Sequence, residues 1–228
     1  MTDREALLRS VVESPNDDGP RLIYADWLEE TGDPERAEFI RIQCETHSVP
    51  MPDERWKALV QRADQLFRLN QGRWQQELPG HPAVQWPGRF YRGFPHQAAA
   101  SRWGELKAVW TQMFAVTPLV QLTIHAIAPW ELDDLLSQPE TRFLQYVFLR
   151  IDGRIDLAAE RLAASPAPAG WTALQLRPDE DDFLTDTGAR ALVKSPYLGG
   201  LNRLHVPTGR LSVEARQALQ QRFGDALL

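Results

Sequence analysis

Leu119-x-x-Leu122-x-Ile124 decides the fold, because the same line returns three times along the chain. It recurs as Leu144-x-x-Val147-x-Leu149, Trp171-x-x-Leu174-x-Leu176 and Leu201-x-x-Leu204-x-Val206, at steps of 25, 27 and 30 residues. A fixed apolar spacing at that period marks a stacked-repeat array. Each line is followed by a helix-like segment: Trp130 to Ser137, Asp156 to Ala164, Asp186 to Lys194 and Val213 to Arg222. Three of these segments end at a proline, namely Pro139, Pro166 and Pro196. Neither the strand nor the helix of such a unit can bury its apolar side without a neighbour. The spacing therefore predicts an α/β solenoid over residues 81–228, with parallel strands on the concave side and helices on the convex side.

Ahead of the repeats, residues 1–80 read as a small bundle of four helices. Thr2-Asp3-Arg4-Glu5 has the capping-box spacing, and Leu7, Leu8, Val11 and Val12 follow at helical period. Pro20 opens a second helix, with Leu22, Ile23, Ala25, Trp27 and Leu28 as its expected buried side and Gly32 as its stop. Asp33 caps a third helix carrying Ala37, Phe39, Ile40 and Ile42. After a break at Pro50-Met51-Pro52, Asp53 caps a longer fourth, with Trp56, Leu59, Val60, Ala63, Leu66 and Phe67 on one face. Residues 78–93 read as a joint leading into a strand or hairpin, and residues 101–116 as one further helix. The expected role of the bundle is to cap the open end of the solenoid, where strand edge and core would otherwise be exposed.

Composition bounds the function. An apolar content of 43% with 25% charged residues is ordinary for a soluble globular protein of 228 residues. Residues 1–50 carry 12 acidic and 5 basic side chains, whereas the remainder holds 19 acidic and 20 basic. A nearly neutral repeat region argues against binding nucleic acid through bulk charge. The lone Cys44 allows no intrachain disulfide and no cysteine-based zinc site. The polar, acidic start and the lack of any long apolar run predict a cytoplasmic protein with no membrane partner.

Two stretches carry a family resemblance. Asp17 to Gln43, with Arg21-Leu22-Ile23-Tyr24-Ala25-Asp26-Trp27-Leu28-Glu29-Glu30 and Gly32-Asp33-Pro34-Glu35-Arg36-Ala37-Glu38-Phe39-Ile40-Arg41, resembles the bacterial repeat-companion domain. Tyr91-Arg92-Gly93-Phe94 looks like the Arg-Gly-Phe turn that often follows it. Leu184-Thr185-Asp186-x-Gly188-Ala189-x-Ala191-Leu192 is similar to the helix side of ribonuclease-inhibitor-like leucine-rich repeats. Together they imply a helical companion domain ahead of degenerate leucine-rich repeats. The inward Asn of that repeat family is replaced by Ile127, Asp152, Asp179 and Gly209, which implies a weakened ladder between repeats. The companion family implies architecture more than an activity.

On strands whose leucines point inward, alternate residues point to the opposite face. This places Gln121, Tyr146, Ala173 and Arg203 in one row, Thr123, Phe148, Gln175 and His205 in the next, and His125, Arg150, Arg177 and Pro207 in a third. Exposed aromatics beside arginine are the usual makeup of an interface hot spot. The candidate partner-binding residues are therefore Tyr146, Phe148, Arg150, Gln175, Arg177, Arg203 and His205; the competing reading is that Tyr146 and Phe148 are packed by the chain itself. Asp26-Trp27-Leu28-Glu29-Glu30 reads as structural, with Asp26 or Glu30 paired to Arg21, Arg36 or Arg41. Asp179-Glu180-Asp181-Asp182 lacks the spacing of a calcium loop and reads as a solvated turn. The five histidines are scattered, and no nucleophile, phosphate-loop or dinucleotide motif stands out, so neither a catalytic residue, a metal nor a cofactor is expected. The sequence thus points to a non-enzymatic interaction or scaffold protein that binds a protein partner through the concave face. The alternative is a regulatory or decoy protein whose acidic N-terminal helices engage a basic partner.

Overall fold

The computed structural model describes residues 2–49, 51, 53–88, 90–179 and 182–227. Pro50 and Pro52 of the expected break, and Glu180 and Asp181 of the acidic run, lie outside the described residues. The chain is a mixed α/β protein that divides into two compact units. One comprises residues 1–81, 86–96 and 109–119; the other comprises 82–85, 97–108 and 120–228. No described helix is long and apolar enough to cross a membrane.

The first unit opens with four helices: α1 Asp3–Glu13, α2 Gly19–Glu30, α3 Pro34–Ser48 and α4 Glu54–Gln75. Thr2 and Glu5 form the capping box at α1. Asp33 and Asp53 accept from backbone N–H groups of Arg36 and Arg55 at the starts of α3 and α4. The α2–α3 turn needs Gly32, whose φ is +97°; the Asp33 N–H then reaches the Leu28 carbonyl at 2.8 Å and closes the helix end. The buried side of α2 differs from the expectation. Leu22 and Ile23 are exposed, whereas Arg21 and Tyr24 are buried with Ala25 and Leu28. The Arg21 guanidinium donates to the carbonyls of Asp17 and Pro15, both at 2.9 Å, so the α1–α2 loop supplies the polar partners its burial requires.

Arg92 serves the same loop, donating to Asp18 Oδ1 at 2.6 Å and to the Asn16 carbonyl at 2.9 Å. It lies in the Tyr91–Phe94 turn, where Arg92 (φ 49°) and Gly93 (φ 90°) are both left-handed, as a type I′ turn demands. Arg36 is buried among Phe39, Trp74, Phe90 and Phe94, its guanidinium carbon 4.6 Å from the Trp74 ring centre and 4.8 Å from that of Phe90. Burial pushes its pKa down to about 10, which still leaves it charged at neutral pH. Cys44 is a buried core residue beside Leu8, Val11 and Ile40.

The helix expected over residues 101–116 is two, α5 Trp103–Lys107 and α6 Trp110–Val116. Trp103 and Leu106 are buried in the second unit; Trp110, Met113 and Phe114 are buried in the first. A single straight helix would tie both apolar sets to one stripe.

The second unit holds a six-stranded sheet in chain order: β1 Val84–Gln85, β2 Gln97–Ala100, β3 Gln121–Ile127, β4 Tyr146–Ile151, β5 Ala173–Pro178 and β6 Arg203–His205. The β1–β2 pair is antiparallel and every other pair is parallel. Consecutive parallel strands need crossovers, which carry α5 and α6 between β2 and β3, then α7 Leu132–Ser137, α8 Ile155–Ala164 and α9 Asp186–Lys194, with α10 Val213–Phe223 after β6. Register follows the repeat lines: Leu122, Val147, Leu174 and Leu204 pair in one row, and Ile124, Leu149 and Leu176 in the next. All twelve residues of the four lines are buried. Before each of β4, β5 and β6, one carbonyl of the preceding repeat accepts two successive N–H groups: Val120 from Gln145 and Tyr146, Gln145 from Thr172 and Ala173, Thr172 from Asn202 and Arg203.

Carboxylates on the helix side join successive strand–helix segments. Asp156 of α8 accepts from the Thr185 N–H at 2.8 Å and from its hydroxyl, while Asp186 of α9 accepts from the Ser212 N–H at 2.9 Å. Thr185 and Ser212 are themselves the N-caps of α9 and α10, so each helix start is pinned by an acid of the helix before it.

Candidate functional site

Strand residues alternate between faces, so burying the leucine rows turns Gln121, Tyr146 and Arg203 to the opposite face, with Thr123, Phe148, Gln175 and His205 one row on. The first two sequence rows pair as aligned: Gln121–Tyr146–Ala173–Arg203 and Thr123–Phe148–Gln175–His205. In the third, Arg150 pairs with Arg177, but His125 leaves the row because the register shifts between Ile124 and Ile127. Pro207 lies beyond β6.

All seven candidate residues therefore lie on one face. Tyr146, Arg150, Arg177, Arg203 and His205 are exposed, whereas Phe148 and Gln175 are half-buried. Tyr146 is 37% exposed, so it is not packed away by the chain. Four of the seven, Phe148, Arg150, Gln175 and Arg177, line one open depression of about 440 Å3 together with Gln121, Thr123 and His125. Tyr146, Arg203 and His205 lie on the same face outside that lining.

Two contacts organise the depression. Arg150 donates to Asp179 at 2.5 Å, an ion pair about half open to solvent. The Gln175 amide, oriented with its oxygen toward Arg177, accepts from Nε at 2.5 Å and from Nη2 at 2.9 Å. Residues two apart on one strand share a face, so this bond ties the Arg177 guanidinium to its own strand through Nε and Nη2. Among the described residues, no carboxylate pairs with Arg177 or Arg203.

The sequence reading expected a strand or hairpin after residue 93 but did not place it beside β3, where β2 extends the face by one strand. Gln97 pairs with Gln121 in register, and the two side chains share a hydrogen bond of 3.1 Å. The available signal was Pro95-x-x-Ala98-x-Ala100, the repeat spacing written in small residues.

The acidic helix motif is organised by ion pairs. Asp26 and Glu29 both hold Arg41 at 2.7 Å; Arg21 and Arg36, weighed as partners, are buried elsewhere, and Glu29 takes the place expected of Glu30. Trp27 stacks on Tyr24 with ring centres 5.7 Å apart. No group of three or more His, Cys, Asp or Glu among the described residues is arranged to hold a metal ion.

Fold and face together define a mixed α/β protein with a mostly parallel six-stranded sheet, one side of which carries aromatic and guanidinium groups. No family model matches the chain, and neither a curated protein nor a solved structure is similar to it.

Proposed function

We propose that this is a non-enzymatic interaction protein: a short leucine-rich-repeat-like solenoid, preceded by a helical domain of the repeat-companion kind, that binds a protein partner through its open strand face. The observation that carries this reading is the row-by-row register of Tyr146, Phe148, Arg150, Gln175, Arg177, Arg203 and His205 on one solvent-facing side of the sheet. Aromatic and arginine side chains spread across three strands around a shallow depression suit a broad contact. Residues 17–43, which resemble the companion family in sequence, do structural work in the first unit. Gly32 forms the turn, Arg21 satisfies the loop carbonyls and Arg36 fills the aromatic cage.

The decoy reading through the acidic N-terminal helices has less to rest on. Many of those carboxylates are engaged within the unit: Asp26 and Glu29 by Arg41, Glu38 by Arg62, Asp33 by Arg73 and Asp18 by Arg92. The test is affinity capture of partners from the native host with wild-type, Phe148→Ala and Arg150→Ala chains. Partner recovery falls in both variants while the Tm stays within about 2 °C, since neither change removes a fully buried group. Equal capture by all three chains refutes the reading.

A further inference from the structure

We propose that the open face receives an acidic protein segment, an extended stretch whose carboxylates pair with Arg177 and Arg203 while an apolar side chain settles beside Phe148. This rests on the binding reading above and adds the chemistry of the occupant.

Charge is the first argument. The whole chain has 31 acidic against 25 basic residues, yet strands β2 to β6 contain three arginines and no Asp or Glu. Asp179 answers Arg150, but no described carboxylate answers Arg177 or Arg203. Exposed cations without a described carboxylate partner on one face of an acidic protein give a potential that an acidic segment complements.

Preorganisation is the second. Gln175 already holds Arg177 through Nε and Nη2, so little side-chain freedom is left to lose when a carboxylate arrives. Ala173, paired with both Tyr146 and Arg203, is buried between these two larger residues. Spacing is the third. Arg177 is four residues beyond Ala173, the strand partner of Arg203. Strand rise and separation put the two arginine Cα atoms about 14 Å apart. An extended segment with carboxylates about four residues apart spans that distance. A nucleic acid fits less well, because its affinity draws on many phosphate contacts and the strands of this face carry three arginines on a chain of net charge −6.

The experiment pans a random twelve-residue phage library on the immobilised full chain, in wild-type, Phe148→Ala and Arg177→Glu/Arg203→Glu forms, and then titrates the selected peptides. The wild type should enrich peptides with two Asp or Glu about four residues apart, and the double charge reversal should weaken them about tenfold. Panning on the charge-reversed chain should enrich Lys and Arg instead, which shows that this chain is folded. Neutral peptides from both chains, lost only with Phe148→Ala, overturn the acidic occupant and leave the binding face standing. Peptides that ignore every face substitution, or none at all, overturn the binding reading itself. A single-stranded DNA probe that binds tighter than the acidic peptides, or a dimer in sedimentation that the charge reversal dissociates, also overturns the proposal.

Discussion

Gly188 is the third residue of α9, and replacing it by alanine sets a local gain against a packing loss. In an open helix the change would add about 1 kcal/mol through propensity alone. Here the new Cβ falls 2.5 Å from Asp156 Oδ1, 2.6 Å from Leu184 Cδ1 and 3.1 Å from the Asp156 Cα. Leu184 is fully buried and has no room to swing aside. The Asp156 carboxylate is the group that holds the Thr185 N–H and hydroxyl at the start of α9. Overpacking costs about 1–3 kcal/mol, and displacing a partly exposed carboxylate from its two donors costs about 1 kcal/mol more. The loss exceeds the gain by about 1–3 kcal/mol, which lowers the Tm by about 2–12 °C for a chain of this size. Urea titration and thermal melts of Gly188→Ala, Asp156→Ala and the double variant measure it. Removing the carboxylate relieves part of the clash, so the two losses should fall short of additive by at least about 0.5 kcal/mol. A Gly188→Ala chain that melts at or above wild type, or strictly additive losses, refutes the close helix approach.

Burial holds the His96 imidazole below its usual pKa, so the unfolded chain takes up that proton first as pH falls through 6.5. Stability present at neutral pH is therefore lost progressively below that value, and His96→Gln should flatten the decline in urea midpoint between about pH 7.5 and 5.5; an unchanged slope contradicts this. Burial, with the Asp18 carboxylate beside it, pushes the Cys44 thiol up to about 12. A thiol reagent at about pH 8 should leave the folded chain unlabelled and modify the cysteine only after denaturation; fast native labelling would show an open site.

Much of the sheet was legible because one physical demand writes both its period and its rows. Leucines at fixed spacing must be buried on parallel strands, and their neighbours must then face away. The place of Gln97–Ala100 beside β3 escaped because Ala98 and Ala100 keep the spacing with side chains too small to carry a hydropathy signal. Apolar periodicity also misread α2, where Leu22 and Ile23 are exposed and Arg21 goes inside. Periodicity counts transfer energy, whereas Arg21 is buried because three residues of an adjacent loop, Ser14, Pro15 and Asp17, present carbonyls to it. The carboxylate links between repeats were hidden for a related reason. Asp156 and Asp186 look like ordinary helix-start acids until the register of the next helix is known. On the open face the rows were readable, but the Arg150–Asp179 pair and the Gln175–Arg177 bond depend on side-chain reach that spacing does not encode.

The chemistry of the open face also bears on how the sheet keeps its register. Side chains alternate with a period of two, so a slip of one residue in β4 or β5 would bury Arg150 or Arg177 and expose Leu149 or Leu176. Burying an unpaired guanidinium costs several kcal/mol, and losing a buried leucine costs about 2–3 kcal/mol more. Each charged or aromatic residue on the open row therefore penalises the wrong alignment while contributing little to the right one. Among the described residues the pairing shifts only between Ile124 and Ile127, and there His125 leaves its row without passing into the core. Because the penalty is shared among several residues, removing Phe148, Arg150 or Arg177 singly leaves the remaining members to hold the register. That is why single substitutions on this face should change what it binds before they change whether it folds.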